Sequence, residues 1–206
     1  KVTPLSINED NISGSISLNA TDVDSDSIVN YIINRLPEHG VLFVDSDGNG
    51  VQDAGEASIA LNGFVSQANI TANKLKFNPT ADYEGKDNFG YGAIDDRGGE
   101  SANQADVHFL ISAVNDTPTV SNISATTNEN QATSSILTGS DVDGDALTYS
   151  VVGSASNGSV SISNSSVPVF TYTPNTNYNG TDTFTYKVND GTTDSSTATV
   201  TITIGN

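Results

Sequence analysis

Residues Asp45 to Glu56 read D-S-D-G-N-G-V-Q-D-A-G-E. Oxygen-bearing side chains stand at loop positions one, three, five, nine and twelve (Asp45, Asp47, Asn49, Asp53 and Glu56), with Gly50 at position six and the carbonyl of Val51 at position seven. Alternating hard donors, a glycine at the sharp turn and a closing glutamate able to bind through both oxygens are what a calcium loop requires. Asp, Asn and Gly are also the common residues of surface turns, but a turn has no need of every position in the pattern. The spacing points to Ca²⁺, held in an insertion of about residues 44–66.

Bulk charge agrees. The 206 residues include 25 acidic and 7 basic side chains, for a net charge of −18. That balance argues against nucleic acid and anionic membrane surfaces, both of which want clustered Lys and Arg. It also makes the folded chain self-repelling unless cations neutralise part of the charge. Cys is absent, so disulfides and thiolate metal sites are excluded. No run of apolar residues is long enough to span a membrane and no signal-peptide pattern begins at Lys1, so the sequence reads as a piece of a longer polypeptide. His39 and His108 are the only imidazoles; one lies in a turn and the other in an apolar strand, and neither suggests a catalytic base. We expect no enzyme.

The elements that position these acids come in two copies. Pro79–Asp95 matches Pro174–Asp190 at seven positions (Pro, Tyr, Gly, Asp, Phe, Tyr, Asp) with a constant offset of 95. D-V-D-S-D at Asp22–Asp26 matches D-V-D-G-D at Asp141–Asp145 at an offset of 119, and Asn8-Glu9 matches Asn128-Glu129 at 120. The drop in offset means that the first copy carries an insertion of roughly two dozen residues, and the calcium loop lies in it. Phe184, Tyr186 and Val188 alternate with Thr185 and Lys187; Phe89, Tyr91 and Ala93 do the same, as do Ala198, Val200, Ile202 and Ile204. Period two with Gly-, Asn-, Asp- and Pro-rich turns predicts an all-β chain of two sandwiches, about seven strands each, with the aromatics in the cores and no amphipathic helix. The expected domains are 1–116 and 117–206, joined at V-N-D-T-P, where Pro118 stiffens the connection.

The combined pattern N-E-(D/N), D-V-D-x-D, Y-x-G-x-D-x-F-x-Y-x-x-x-D and V-N-D-x-P resembles the cadherin-like, Ig-like tandem repeats of very large secreted bacterial surface adhesins. The Cys-free, Ser-, Thr-, Asn- and Asp-rich composition is similar too. The resemblance covers nearly the whole chain except the insertion, and the full pattern is specific where each piece alone is weak. It implies Ca²⁺ between consecutive modules, an extracellular bacterial cell-surface location and an adhesive or spacer role. In a sandwich whose strands alternate in direction, Glu9, Asp87, Asn115 and Asp116 fall at the exit pole of the first unit. Asp141, Asp143 and Asp190 fall at the facing pole of the second, and together these form the interdomain ligand set. Asp22, Asp24 and Asp95, with Glu129 and Asp182, form outer poles that require neighbouring modules. The D-R-E triplet of animal cadherins is absent; Asp87 and Asp182 take its place by position alone.

The implied partners are calcium ions and neighbouring repeats of the same polypeptide, with the fragment itself a monomer that does not insert into membranes. A second reading makes the insertion a calcium-dependent site for a polysaccharide, cell-surface or protein ligand, since function on a shared scaffold tends to sit in variable loops.

Overall fold

Strand alternation sets the cores of both copies, as the sequence leads one to expect. The computed structural model describes residues 3–101 and 104–206, which divide into two units, Lys1–Val114 and Asn115–Asn206.

The first unit contains β1 (Leu5–Asn8), β2 (Ile28–Arg35), β3 (Gly40–Val44), β4 (Phe64–Ser66), α1 (Gln67–Thr71), β5 (Leu75–Pro79), β6 (Gly85–Asp95) and β7 (Ala105–Ser112). One sheet runs β1-β7-β6-β2-β4, and β3 pairs with β5 in the other. β6 supplies Phe89, Tyr91 and Ala93 to the interior, where they join Tyr31, Ile33, Leu42, Leu75, Phe77 and Phe109. Phe77 on β5 stacks on Phe109 of β7 with centroids 4.2 Å apart, which ties the two sheets together. Each such fully buried side chain contributes about 1.5–3 kcal/mol.

The second unit contains β8 (Thr119–Val120), β9 (Ile123–Asn128), β10 (Thr133–Ile136), β11 (Gly139–Ser140), β12 (Thr148–Gly153), β13 (Gly158–Ile162), β14 (Val169–Pro174), β15 (Gly180–Asn189) and β16 (Ala198–Gly205). Its sheets run β12-β15-β16-β9, β10-β14-β13 and β11-β8. Phe170, Tyr172, Phe184, Tyr186 and Val200 fill its core. In both units the first long strand runs parallel to the last, β1 beside β7 and β9 beside β16.

The insertion links the two sheets of the first unit. In the second unit β13 turns directly into β14; in the first, the chain leaves β3, forms the acidic loop, and returns along β3 through Ile59 N–H to Leu42 O at 2.7 Å. It then crosses to the opposite sheet as β4 and makes one helical turn, α1. No helix is expected from the sequence, and this one is too short to carry a hydrophobic period. It forms because the Ser66 hydroxyl caps the Asn69 N–H at 3.2 Å and Ile70 is buried.

Two glycines are required by packing. A Cβ on Gly158 would come within 2.5 Å of the Tyr172 ring and 2.6 Å of Thr173 O. Gly40, with φ +154°, would meet Phe77 and Asn78 O at 2.5 Å. Gly158→Ala is expected to destabilise the second unit by about 2 kcal/mol. Chemical denaturation of the variant, with amide exchange read separately in each unit, checks this; unchanged stability would contradict it.

Candidate metal centre

The inserted loop is wrapped around its own acids. Asp45 is 2% exposed and accepts Gly48 N–H at 2.7 Å and Gly50 N–H at 3.1 Å. Both donors have positive φ, +80° and +78°, which the turn needs and glycine supplies. Asn49 bridges the loop: its amide donates to Asp47 at 3.0 Å and Asp53 at 2.7 Å, while its Oδ1 accepts Val51 N–H. Glu56 is 7% exposed, and its Oε1 accepts both the backbone N–H and, at 2.9 Å, the hydroxyl of Ser46. The Ser46 N–H is the main reason that the Glu56 carboxyl is held below its ordinary value. Asp45, Asp47 and Glu56 each bring one oxygen within 4.8 Å of the others. Asp53 stands outside that trio and accepts the Asn49 amide instead.

The second unit gathers another set. Asp141, Asp143 and Asp145 place oxygens within 4.8 Å of one another. Asp141 Oδ1 accepts Asp145 N–H at 3.3 Å, whereas its Oδ2 is buried with no hydrogen-bond partner among the described residues. Asn115 donates to Asp190 Oδ2 at 2.9 Å, and Asp116 N–H donates to Asp143 Oδ2 at 2.8 Å. Thr193 N–H first, then the Asn115 amide, hold Asp190 below the usual carboxylate range. These are hard oxygens only, and the orphaned Asp141 oxygen suits a cation that prefers such donors; the set fits Ca²⁺. Asp145 is absent from the sequence-derived ligands, although it is the third acid of D-V-D-G-D.

In the first unit Glu9 is buried and accepts Val114 N–H at 2.7 Å. Asp22 accepts the N–H groups of Asp24 and Asp26 at 2.8 and 3.1 Å, the pattern of an Asx turn. Asp95 accepts Gly99 N–H and Arg97 N–H, both at 2.8 Å, and those bonds hold its carboxyl low. Asp26 is pushed up by burial and then by Asp22, Asp96 and Asp95, although Arg97 pairs with it at 3.1 Å. Glu129 contributes its backbone N–H to Gly205 O at 2.7 Å.

Asp87 and Asp182 do something else. Asp87 accepts Glu38 N–H at 3.0 Å and His39 N–H at 2.8 Å; Asp182 accepts Ser156 N–H at 3.1 Å and Asn157 N–H at 2.8 Å. Both are buried. Asp87 clamps the turn ahead of β3 and Asp182 the turn ahead of β13, and Asp182 also accepts the Tyr172 hydroxyl at 2.8 Å. His39 in turn stacks on Tyr83, centroids 3.7 Å apart. These bonds give the two aspartates, expected from position alone to hold metal, a clamping role that both units share.

Residues 115–203 match the family model of the bacterial Ig domain. The fold is similar to EC21–23 of human CDH23 (14% identity, 98% of this chain, 67% of that chain, TM-score 0.52). It is also similar to EC22–24 of mouse cadherin-23 (18% identity, 97% of this chain, 61% of that chain, TM-score 0.53). An endo-fucoidan hydrolase of glycoside hydrolase family 107 matches at 17% identity and TM-score 0.36, over 98% of this chain but 28% of that chain, and carries no argument here. No curated protein matches. The family model over the second unit and the cadherin fold together support a cadherin-like, Ig-like bacterial repeat. Among the described residues no helix is long and apolar enough to cross a membrane.

Proposed function

We propose that this chain is a calcium-binding extender of a large adhesin on the outer surface of a bacterial cell. Two calcium regions serve it. The insertion loop holds an ion through Asp45, Asp47, Asn49, the Val51 carbonyl, Asp53 and Glu56. A second region, assigned to the join by analogy with cadherin-like repeats, uses Glu9, Asn115, Asp116, Asp141, Asp143 and Asp190, with Asp145 added from the second unit's geometry. The observation that carries this reading is the buried Asp141 Oδ2, unpartnered among the described residues and set beside two further carboxylates. An uncompensated buried carboxylate oxygen is costly, and a divalent cation removes the cost.

Calcium at successive joins turns a string of sandwiches into a rod that presents an adhesive tip. Extracellular calcium modules bind at about 10⁻⁴–10⁻³ M, so such a rod stiffens in calcium-rich fluid and slackens on chelation. Small-angle scattering of the fragment in calcium and in chelator tests this: the maximum dimension is expected to be better defined with calcium. Identical curves would sink the mechanical reading.

One observation favours a ligand-binding role for the insertion. Leu61 and Phe64 are 54% and 61% exposed, and Val51 is 54% exposed at the loop itself. A glycan array probed with and without calcium separates this reading from a purely mechanical one.

A further inference from the structure

Asn-Gly occurs four times in the chain, at Asn49, Asn62, Asn157 and Asn179. The pair is chemically labile in water, because a glycine has no side chain to keep its nitrogen away from the Asn amide carbon. Three of the four pairs are held by the scaffold. Asn62 N–H donates to Ile33 O at 2.7 Å and Gly63 N–H to Ala60 O at 2.8 Å. Gly158 and Gly180 open β13 and β15, paired opposite Pro174 and Ile204. These three keep their geometry for as long as the strands around them stand.

The Asn49–Gly50 pair is held by charge instead. Gly50 N–H donates to Asp45 Oδ2 at 3.1 Å, and Asn49 Nδ2 donates to Asp47 Oδ2 at 3.0 Å and to Asp53 Oδ2 at 2.7 Å. Asn49 Oδ1 accepts Val51 N–H at 2.7 Å. The bonds on the potential nucleophile and on the potential leaving group thus end on carboxylates of the loop, and both residues are exposed to water. Three carboxylates gathered around one amide repel one another, with Glu56 adding a fourth charge on the same loop. The clamp is therefore only as firm as the neutralisation of those acids.

We propose, resting on the calcium reading of this loop, that Asn49–Gly50 is a deamidation site gated by the loop's cation. When the loop opens, the Gly50 nitrogen bonds to Asn49 Cγ and closes an imide ring. The Cγ–Nδ2 bond breaks, and Nδ2 leaves as ammonia with the proton that the Gly50 nitrogen gave up. Water then opens the ring. Attack at Cγ gives aspartate with the chain path unchanged; attack at the main-chain carbonyl gives isoaspartate, whose backbone runs through Cβ and Cγ and is longer by one carbon. The longer path displaces the donor at position five and takes Gly50 N–H out of register with Asp45, so the modified loop no longer holds an ion. With the charge of the carboxylates offset, Gly50 N–H stays on Asp45 and the ring does not close. The glycine that the sharp turn demands, at φ +78°, is also what makes the emptied loop perishable.

The test ages the full chain in mildly alkaline buffer with calcium and with chelator, and follows the exchange of NH₂ for OH in each Asn-Gly peptide by mass spectrometry. Asn49 is expected to convert faster in chelator by about tenfold or more, since the rate follows the population of the open loop. Asn62 and Asn179 are expected to convert at the same rate in both solutions. Chain aged in chelator and returned to calcium should recover binding in the second unit's region but not at the loop. Calorimetry before ageing separates the gate from the metal site. If the loop binds calcium and Asn49 converts equally in both solutions, the gate is overturned and the calcium site stands. If the loop binds none and the rates are equal, both fall. Faster conversion of all four pairs together in chelator also overturns the gate, because it reports general unfolding.

Discussion

Calcium titration of Asp45→Ala/Glu56→Ala is expected to lose one class of site and keep the other, and Asp141→Ala/Asp143→Ala to do the reverse. Asp45 and Glu56 are the two buried acids of the inserted loop, and each is already oriented by backbone N–H groups of that loop. Little rearrangement is left for metal binding, so removing both takes away two charges and the glutamate that can close the ligand shell. Affinity at that site should fall by about a hundredfold or more. Asp141 and Asp143 belong to the other unit, so the two losses should be independent, as expected for separated sites. Calorimetry on the parent chain should count at least two ions, one per region. A single shared loss in both double variants, or no binding by the parent chain, would refute the two-region reading.

The strands and cores were legible because burial on one face imposes a period of two, and Phe184, Tyr186 and Val188 show it without ambiguity. The acidic loop was legible as a cluster because its acids lie within twelve residues of one another, and Asp45, Asp47 and Glu56 do bring oxygens within 4.8 Å. What escaped depends on partners far along the chain. Asp87 and Asp182 look like ligands by their place in the repeat, yet they accept N–H groups 25 to 49 residues away. No local pattern records such a bond. The repetition of Asp-in-strand with a turn before Gly40 and Gly158 was the available signal, since a feature kept by both units points to the shared scaffold. The insertion's crossing to β4, and the capped turn at Ser66, are likewise tertiary: periodicity identifies a strand and not the sheet it joins. Asp145, which clusters with Asp141 and Asp143, stands in the same D-V-D-G-D stretch of sequence.

Asp182→Ala is therefore expected to unfold the second unit more readily, and by the same amount in calcium as in chelator. The substitution takes the side-chain acceptor from Ser156 N–H, Asn157 N–H and Thr183 N–H and leaves the Tyr172 hydroxyl with only Asn157 O, at 3.3 Å, in a site that is 4% exposed. Stranding buried donors costs more than a hydrogen bond contributes, and about 3 kcal/mol is a reasonable sum for this group. That corresponds to a drop of more than about 10 °C in the unit's midpoint. Burial pushes the Asp182 carboxyl up, but the Tyr172 hydroxyl and three backbone N–H groups outweigh it and hold the carboxyl below 3.8. The unfolded chain thus binds this proton at a higher pH than the folded one. The stability that Asp182 adds is complete above its unfolded value and is lost as pH falls through the lower folded value. Acid unfolding of the parent chain should show that loss, and Asp182→Ala should flatten it. Were the midpoint to drop in calcium but not in chelator, Asp182 would be a metal ligand after all, and the shared clamp would have to be abandoned.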